Sequence, residues 1–285
     1  MTLKELKQEF VQSLAEKYPS EEIHSFFYIL TEKLLQLSRL QVALDPEKNL
    51  SEKQIKAFKN AIEQLQQYKP IQYIAGETQF YSLPFLVNKH TLIPRPETEE
   101  LVEWIIEDNQ NSKNKTTKLL DIGTGSGCIS ISLAKNLKYA DVSALDISDE
   151  ALKIAQKNAG INGVKVSFFQ DDILKTETLP DTYNIIVSNP PYVRQLEKKS
   201  MQPNVLKFEP DLALFVEDND PLLFYRKIAQ LAKKYLTANG LLYFEINEYL
   251  SEDLVKLLEQ EDYQEIVIRK DLFGKDRMIK SKVNA

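Results

Sequence analysis

One junction restricts what this chain can fold into more than any other: a short apolar run that ends on two prolines. Tyr183-Asn184-Ile185-Ile186-Val187-Ser188 reads as a strand rich in β-branched side chains. Asn189-Pro190-Pro191-Tyr192 stops it. Adjacent prolines remove two backbone donors and fix two φ angles, so a hydrogen-bonded ladder cannot continue through them. What is left is a stiff turn at a strand's carboxyl end that presents an amide, a main-chain carbonyl and a phenol ring. In an open α/β sheet, ligands bind at that edge. Taken alone, the same residues also suit a strand that simply ends in a proline turn.

The surrounding sequence decides between the two. From about residue 117, strand and helix patterns alternate, which predicts a mainly parallel doubly wound sheet. The expected strands are Lys118–Asp121, Val142–Leu145, Val164–Phe168, Tyr183–Ser188 and Leu241–Ile246, with Ile266–Ile268 and Arg277–Ile279 as a terminal pair. Helices are expected after Gly127, Asp149, Pro221 and Ser251. Asp121-Ile122-Gly123-Thr124-Gly125-Ser126-Gly127 joins the first strand to a helix and holds three of the chain's eight glycines. Glycine permits positive φ and lets a ligand approach the bare backbone. The spacing lacks the last glycine of the dinucleotide fingerprint, where Cys128 stands; Cys128 reads as a small buried residue at a helix start. Asp146 ends the next strand, 19 residues past Gly127, where a carboxylate can accept both ribose hydroxyls of a nucleoside. Asp171-Asp172-Ile173 follows the third strand, with Asp172 placed to accept from an adenine amine and Ile173 to cover the ring.

Upstream, residues 1 to about 68 carry helical periodicity. Thr2 with Glu5 suits a capping box ahead of Leu3, Leu6, Phe10 and Leu14. Ser20 is the expected cap of a second helix carrying Ile23, Phe27, Leu30 and Leu34. Ser51 with Gln54 opens a third with Ile55, Phe58, Ile62 and Leu65. Pro70 ends this part, and Phe80-Tyr81 and Phe85-Leu86-Val87 predict a β-hairpin bridging two domains. Leu92-Ile93-Pro94-Arg95-Pro96-Glu97-Thr98-Glu99 then sets an arginine between two prolines and opens a helix with an acidic first turn. Asn109 to Thr117 reads as a polar loop.

Composition narrows the function class. At 285 residues, 43% hydrophobic and 27% charged, the chain is an ordinary globular sequence with room for two domains. A net charge of −6 argues against affinity built on coating nucleic-acid phosphates. One cysteine and two separated histidines, His24 and His90, give no metal-ligand cluster, and no metal is expected. The amino terminus is charged and helical in pattern, and no apolar run reaches membrane length, so a reducing cytoplasm is the expected compartment.

The glycine turn, the ribose acid, the adenine edge and N-P-P-Y fall after four successive strands in that order. This order resembles the class I methyltransferases that use S-adenosyl-L-methionine, and N-P-P-Y marks the subset acting on planar nitrogens. Pro70 to Gly76 with Phe80, I-P-R-P-E-T-E at Ile93–Glu99, Glu209-Pro210 and Asp271-Leu272-Phe273-Gly274-Lys275-Asp276-Arg277 extend the likeness. Together they resemble the release factor glutamine N5-methyltransferases, the HemK or PrmC group, over essentially the whole chain. One departure stands at Glu245-Ile246-Asn247, where the family usually shows E-I-G.

The resemblance implies a Rossmann-like methyltransferase domain over 97–285, a helical substrate-docking domain over 1–69 and a linking hairpin over 70–96. It implies methyl transfer from S-adenosyl-L-methionine to the side-chain amide of the glutamine in the Gly-Gly-Gln loop of class I peptide-chain release factors. Asn189, Pro190 and Tyr192 would carry the chemistry: the Asn189 oxygen and Pro190 carbonyl accept from the substrate NH2, and the Tyr192 ring packs on the flat amide. Gly123, Thr124, Gly125, Ser126, Gly127, Asp146, Asp172, Ile173 and Asn189 would hold the cofactor. Pro191 joins the substrate side, and Phe80 is expected to wall the pocket. A monomer is expected, with no nucleic-acid or membrane partner. The competing reading is methylation of an exocyclic amine in DNA or RNA, which uses the same N-P-P-Y logic. A non-catalytic binding protein on this fold would be expected to lose Asn189 or the glycine turn, and both are present.

Overall fold

A computed structural model describes residues 1–109 and 116–283. The expected polar loop at 109–117 therefore falls mostly outside the described residues. The chain separates into two units: Met1–Glu77 with Gln202–Phe208, and Thr78–Met201 with Glu209–Ala285.

The first unit is built on amphipathic helices. In α1 (Leu3–Leu14) the periodic residues Leu3, Leu6, Phe10 and Leu14 are all buried, and Thr2 and Glu5 form the expected capping box. α2 (Ser20–Leu30) buries Ile23, Phe26, Phe27 and Leu30, but its cap position is Pro19 and Ser20 is already helical. Leu34 lies in a π-helical turn (Thr31–Leu35) that ends at Gln36 in the left-handed conformation. α3 (Arg39–Leu44) was not anticipated, although Ser38 and Gln41 form a capping box. α4 (Glu52–Gln66) opens on Ser51 and Gln54 as expected. Phe10 meets Phe27 edge-on at a centroid distance of 5.5 Å and Phe58 at 6.2 Å, which gives this unit a core of its own. The segment after Pro70 is a short helix, α5 (Ile71–Ala75), that stops at Gly76 with φ of 77°. A proline at the start and a positive-φ glycine after the end explain both limits.

The second unit starts with the hairpin β1 (Glu77–Phe80) and β2 (Leu83–Leu86). This hairpin is fastened to its own unit: Asn158 accepts from the Leu86 N–H at 2.7 Å and donates to the Leu86 carbonyl at 3.0 Å. The Tyr81 N–H donates to Glu99 at 2.8 Å. The break between units comes after Glu77, whereas the sequence suggested a separate linker over 70–96.

There follow α6 (Pro96–Asn109), β3 (Thr117–Ile122), α7 (Cys128–Asn136), β4 (Ala140–Asp146), α8 (Asp149–Asn162), β5 (Ser167–Gln170) and β6 (Tyr183–Ser188). Next come β7 (Val193–Arg194), α9 (Pro203–Phe208), β8 (Phe215–Val216), α10 (Leu223–Tyr235), β9 (Leu236–Glu245), α11 (Ser251–Gln260), β10 (Tyr263–Lys270) and β11 (Asp276–Val283). α9 groups with the first unit, not with the 97–285 block that the sequence suggested. β5 begins three residues later than expected, at Ser167.

The main sheet has the order β10-β11-β9-β6-β3-β4-β5. β3 pairs in parallel with both β4 and β6, β4 with β5, and β6 with β9, while β11 runs antiparallel to both of its neighbours, β9 and β10. The chain thus starts mid-sheet at β3, builds outward to β5, and returns to the other side of β3 at β6. That reversal opens a crevice at the carboxyl ends of β3 and β6, the standard position for a ligand in such sheets.

Candidate active site

A cleft of about 460 Å³ lies in that crevice, within the range of small-molecule sites. Gly123, Gly125, Asp146, Asp172, Ile173 and Asn189 line it, together with Pro190 and Pro191. A wider depression beside Asp141, Ser167 and Tyr183 lies toward the amino-terminal ends of the strands, away from N-P-P-Y.

The glycine turn is held against the neighbouring strand. The Gly123 and Thr124 N–H groups donate to the Leu145 carbonyl at 2.9 and 3.0 Å. Gly125 has φ of 55°, and a Cβ added there would meet nothing within 4 Å, so its bare face opens on the cleft. Gly127 differs: a Cβ would stand 2.7 Å from Ile131 Cδ1 and 3.1 Å from Ala155 Cβ, so this glycine allows close helix packing. Thr124 and Ser126 are buried and do not line the cleft. The Thr124 hydroxyl donates to Asp121 Oδ2 at 2.6 Å. Of the five turn residues predicted to meet the cofactor, the lining therefore includes Gly123 and Gly125. Thr124, Ser126 and Gly127 shape the turn from behind.

Asp121, beneath this turn, was not singled out. It is fully buried, its Oδ2 also accepts from the Ser130 N–H at 3.2 Å, and its Oδ1 has no hydrogen-bond partner. Burial pushes its carboxyl up to about 6 despite the opposing bonds from Thr124 and Ser130. Asp146 lies at the cleft and spends one lone pair of each oxygen on the backbone: Oδ2 accepts from Gly125 N at 2.8 Å and Oδ1 from Ser148 N at 2.9 Å. A carboxylate oxygen has two lone pairs, so both remain able to take a hydroxyl. Burial raises the Asp146 carboxyl above its ordinary range against those backbone bonds. Asp172 accepts from Leu174 N at 3.1 Å and pairs with Lys175 at 2.9 Å, which lowers its carboxyl.

On the other wall, β6 ends where the sequence placed its end, at Ser188. Asn189 is half-buried and Pro190 buried. The Asn189 Nδ2 donates to Thr98 Oγ1 at 3.3 Å, and the Thr98 hydroxyl donates to Glu245 Oε2 at 2.5 Å. The Tyr192 hydroxyl donates to Glu245 Oε1 at 2.9 Å, so Tyr192 packs behind the cleft lining and its polar end faces the protein. Burial, then the Glu245 charge, holds the Tyr192 phenol far above its ordinary value, so it stays a donor. Thr98 and Glu245, 147 residues apart, were not anticipated as part of this site.

Phe80 corrects the sequence expectation. It is 1% exposed, lies edge-on to Phe85 at 5.9 Å, and belongs to the core with Leu101, Trp104 and Ile105. An aromatic side chain buries a large apolar area, and here the hairpin's own packing takes it. Walls that the sequence did not suggest come from Lys89, His90, Leu92, Pro210, Leu212 and Phe224. Two of these segments are clamped together. Arg95 pairs with Glu209 at 2.5 Å, and the Ile93 N–H donates to the other Glu209 oxygen at 3.1 Å. Arg95 therefore has a buried partner, and the stiff Pro94-Arg95-Pro96 segment is tied to the strand of chain leading into Pro210.

Comparison with known proteins agrees with this arrangement. The methyltransferase small domain family matches residues 101–207, and the PrmC N-terminal domain family matches residues 5–76. A release factor glutamine methyltransferase of Flavobacterium psychrophilum is 56% identical over 98% of this chain and 99% of its own. One from Bacteroides thetaiotaomicron is 45% identical, covering 94% of this chain and 95% of its own. Among solved structures, a methyltransferase from Pyrococcus furiosus superposes with a TM-score of 0.52 at 17% identity, covering 72% of this chain and 91% of its own, which shows the shared fold. The chain belongs to the release factor glutamine methyltransferase family.

Proposed function

We propose that this chain transfers a methyl group from S-adenosyl-L-methionine to the side-chain nitrogen of the glutamine in the Gly-Gly-Gln loop of class I release factors. The observation that carries the reading is one cleft with a nucleoside-type acid on one wall, Asp146, and the N-P-P turn on the other. The cofactor supplies an electrophilic methyl on a sulfonium. The residues present fit it: Asp146 keeps lone pairs for ribose hydroxyls, Gly123 and Gly125 offer bare backbone, and Asp172 with Ile173 forms an edge for adenine.

An amide nitrogen is a weak nucleophile because its lone pair is delocalised into the carbonyl. The Asn189 Oδ1 and the Pro190 carbonyl accept from the substrate NH2, align its lone pair and favour positive charge developing on nitrogen. Pro190 has no N–H, so it faces the substrate only as an acceptor. Tyr192 is anchored by its hydroxyl and fixes the far end of the turn. No side-chain base is required, because the nitrogen becomes acidic once methylated.

Recognition of the protein partner is assigned to the helical unit. A glutamine side chain has too few atoms to bind tightly alone, and a second contact raises its effective concentration. The enzyme works as a cytoplasmic monomer with no nucleic-acid partner. The test is incubation with methyl-labelled cofactor and, separately, a class I release factor, duplex DNA and structured RNA. Label in the release factor alone is expected; label in nucleic acid alone overturns the assignment.

A further inference from the structure

Glu245 is a buried carboxylate at the end of β9, 1% exposed, in a place where an apolar side chain would be less costly to bury. Its two oxygens are taken by two hydroxyls from different parts of the site: Thr98 in the first turn of α6, itself 2% exposed, and Tyr192 of the N-P-P-Y turn. Burial raises the Glu245 carboxyl above its ordinary value, against the bonds from the Thr98 and Tyr192 hydroxyls and the positive charge of Arg277. Arg277 is itself held by Asp271 at 3.2 Å and by the Ile246 carbonyl at 3.4 Å.

Hydrogen-bond direction follows from this arrangement. The Thr98 and Tyr192 hydroxyls each donate to one Glu245 oxygen, the only direction an ionised carboxylate permits. A threonine hydroxyl has one proton, and that proton is spent on Glu245. Its lone pairs can then only receive, and what they receive is the Asn189 Nδ2. An asparagine amide is nearly symmetric in shape but opposite in polarity at its two ends. Fixing its nitrogen on Thr98 leaves the oxygen as the end available to the cleft.

We propose that Glu245 and Thr98 are positioning residues that set the direction of the Asn189 carboxamide, so that its oxygen faces the substrate NH2. With the amide reversed, Asn189 would present two donors to a group that is itself a donor. This inference rests on the assignment of amide-nitrogen methylation to the cleft. The same buried carboxyl anchors Tyr192, so one group sets both side-chain polar members of the N-P-P-Y turn.

The test uses the full-length enzyme with intact release factor and three variants: Thr98→Ser, Thr98→Val and Glu245→Gln. Thr98→Ser keeps the hydroxyl and should retain kcat within about twofold. Thr98→Val keeps the shape and removes the relay, and should lower kcat by roughly 10- to 100-fold. Affinity for S-adenosylhomocysteine should stay within about threefold in both variants, since neither hydroxyl nor carboxylate lines the cofactor cleft. Glu245→Gln keeps the volume but can place its amide N–H against Thr98, which turns that hydroxyl toward Asn189 and reverses the relay; kcat should again fall.

A second readout does not depend on turnover. The side-chain amide protons of Asn189, followed by NMR, should be protected from exchange in the wild type and in Thr98→Ser, and lose that protection in Thr98→Val. A Thr98→Val enzyme with wild-type kcat and unchanged Asn189 protection overturns the positioning role. Equal losses in Thr98→Ser and Thr98→Val overturn it as well. A wild-type enzyme inert on release factor, with Asn189 protection responding as described, overturns the proposed function but leaves the relay standing.

Discussion

Replacement of Asp146 by alanine tests the cofactor wall, and the structure assigns two separate losses to it. The carboxylate accepts from Gly125 N at 2.8 Å and from Ser148 N at 2.9 Å, so it holds the glycine turn as well as facing the cleft. Bonds to a charged acceptor are worth about 1.5–3 kcal/mol each, but the cleft admits water that recovers part of this, so the fold should lose about 1–3 kcal/mol. Losing two ribose contacts should cost a further 2–4 kcal/mol or so of cofactor binding, on the order of 30- to 1000-fold in affinity. Asp146→Asn divides the two effects in part: its carbonyl can still accept from Gly125, but its amide nitrogen can accept neither from the Ser148 N–H nor from a ribose hydroxyl, so its stability loss should be smaller than the alanine variant's while affinity still falls. Calorimetric titration with S-adenosylhomocysteine measures the affinity, and urea denaturation of the apoprotein measures the stability. Unchanged affinity in both variants would refute the ribose assignment. An affinity loss only in the alanine variant, matching its stability loss, would show that Asp146 acts solely by holding the turn.

Three other outcomes follow from named contacts. Asn189→Ala should lower kcat by roughly 100-fold or more through a lost transition-state acceptor while cofactor affinity changes little; single-turnover kinetics at a near wild-type rate would contradict it. Glu209→Gln breaks the pair with Arg95 and should cost about 1–3 kcal/mol, discounted because the Arg95 side chain is 34% exposed; an unchanged denaturation midpoint would show that the clamp contributes nothing. Asp121 has a folded pKa of about 6, above its value of 3.8 in the unfolded chain, so between these values the folded state binds more protons and stability falls as pH rises. That term amounts to about 2 kcal/mol between pH 4 and 7, and Asp121→Asn should remove it, so the variant gains on the wild type as pH rises; parallel stability–pH curves would rule it out.

The parts of this molecule that could be read from its sequence are those encoded locally. β6 and its stop are written in six consecutive residues and two prolines, and the structure ends the strand at Ser188 as expected. The capping boxes at Thr2 and Ser51 work over a span of three residues and were equally plain. The helix at Ile71–Ala75 was missed although Pro70 and Gly76 mark its two limits, because five residues carry too little periodicity to weigh.

What stayed hidden depends on chain segments meeting late. Thr98 meets Glu245 only because the first turn of α6 lies against the end of β9, and Arg95 meets Glu209 from 114 positions away in the sequence. No spacing rule reaches that far. Phe80 shows a different limit: an aromatic residue beside a turn can serve a pocket wall or a core, and only its packing against Phe85 decides. At the glycine turn, composition located the cofactor wall, but which residues open onto the cleft depends on side-chain direction, and Thr124 turns inward to Asp121.

The most direct test of the central claim is to locate the transferred methyl group. Release factor treated with this enzyme and S-adenosyl-L-methionine is digested and fragmented by tandem mass spectrometry. The account predicts one added methyl on the side-chain nitrogen of the glutamine in Gly-Gly-Gln, formed at a rate lower by roughly 100-fold or more when Asn189→Ala enzyme is used at equal concentration. A methyl on any other residue, or on that glutamine irrespective of Asn189, would contradict it.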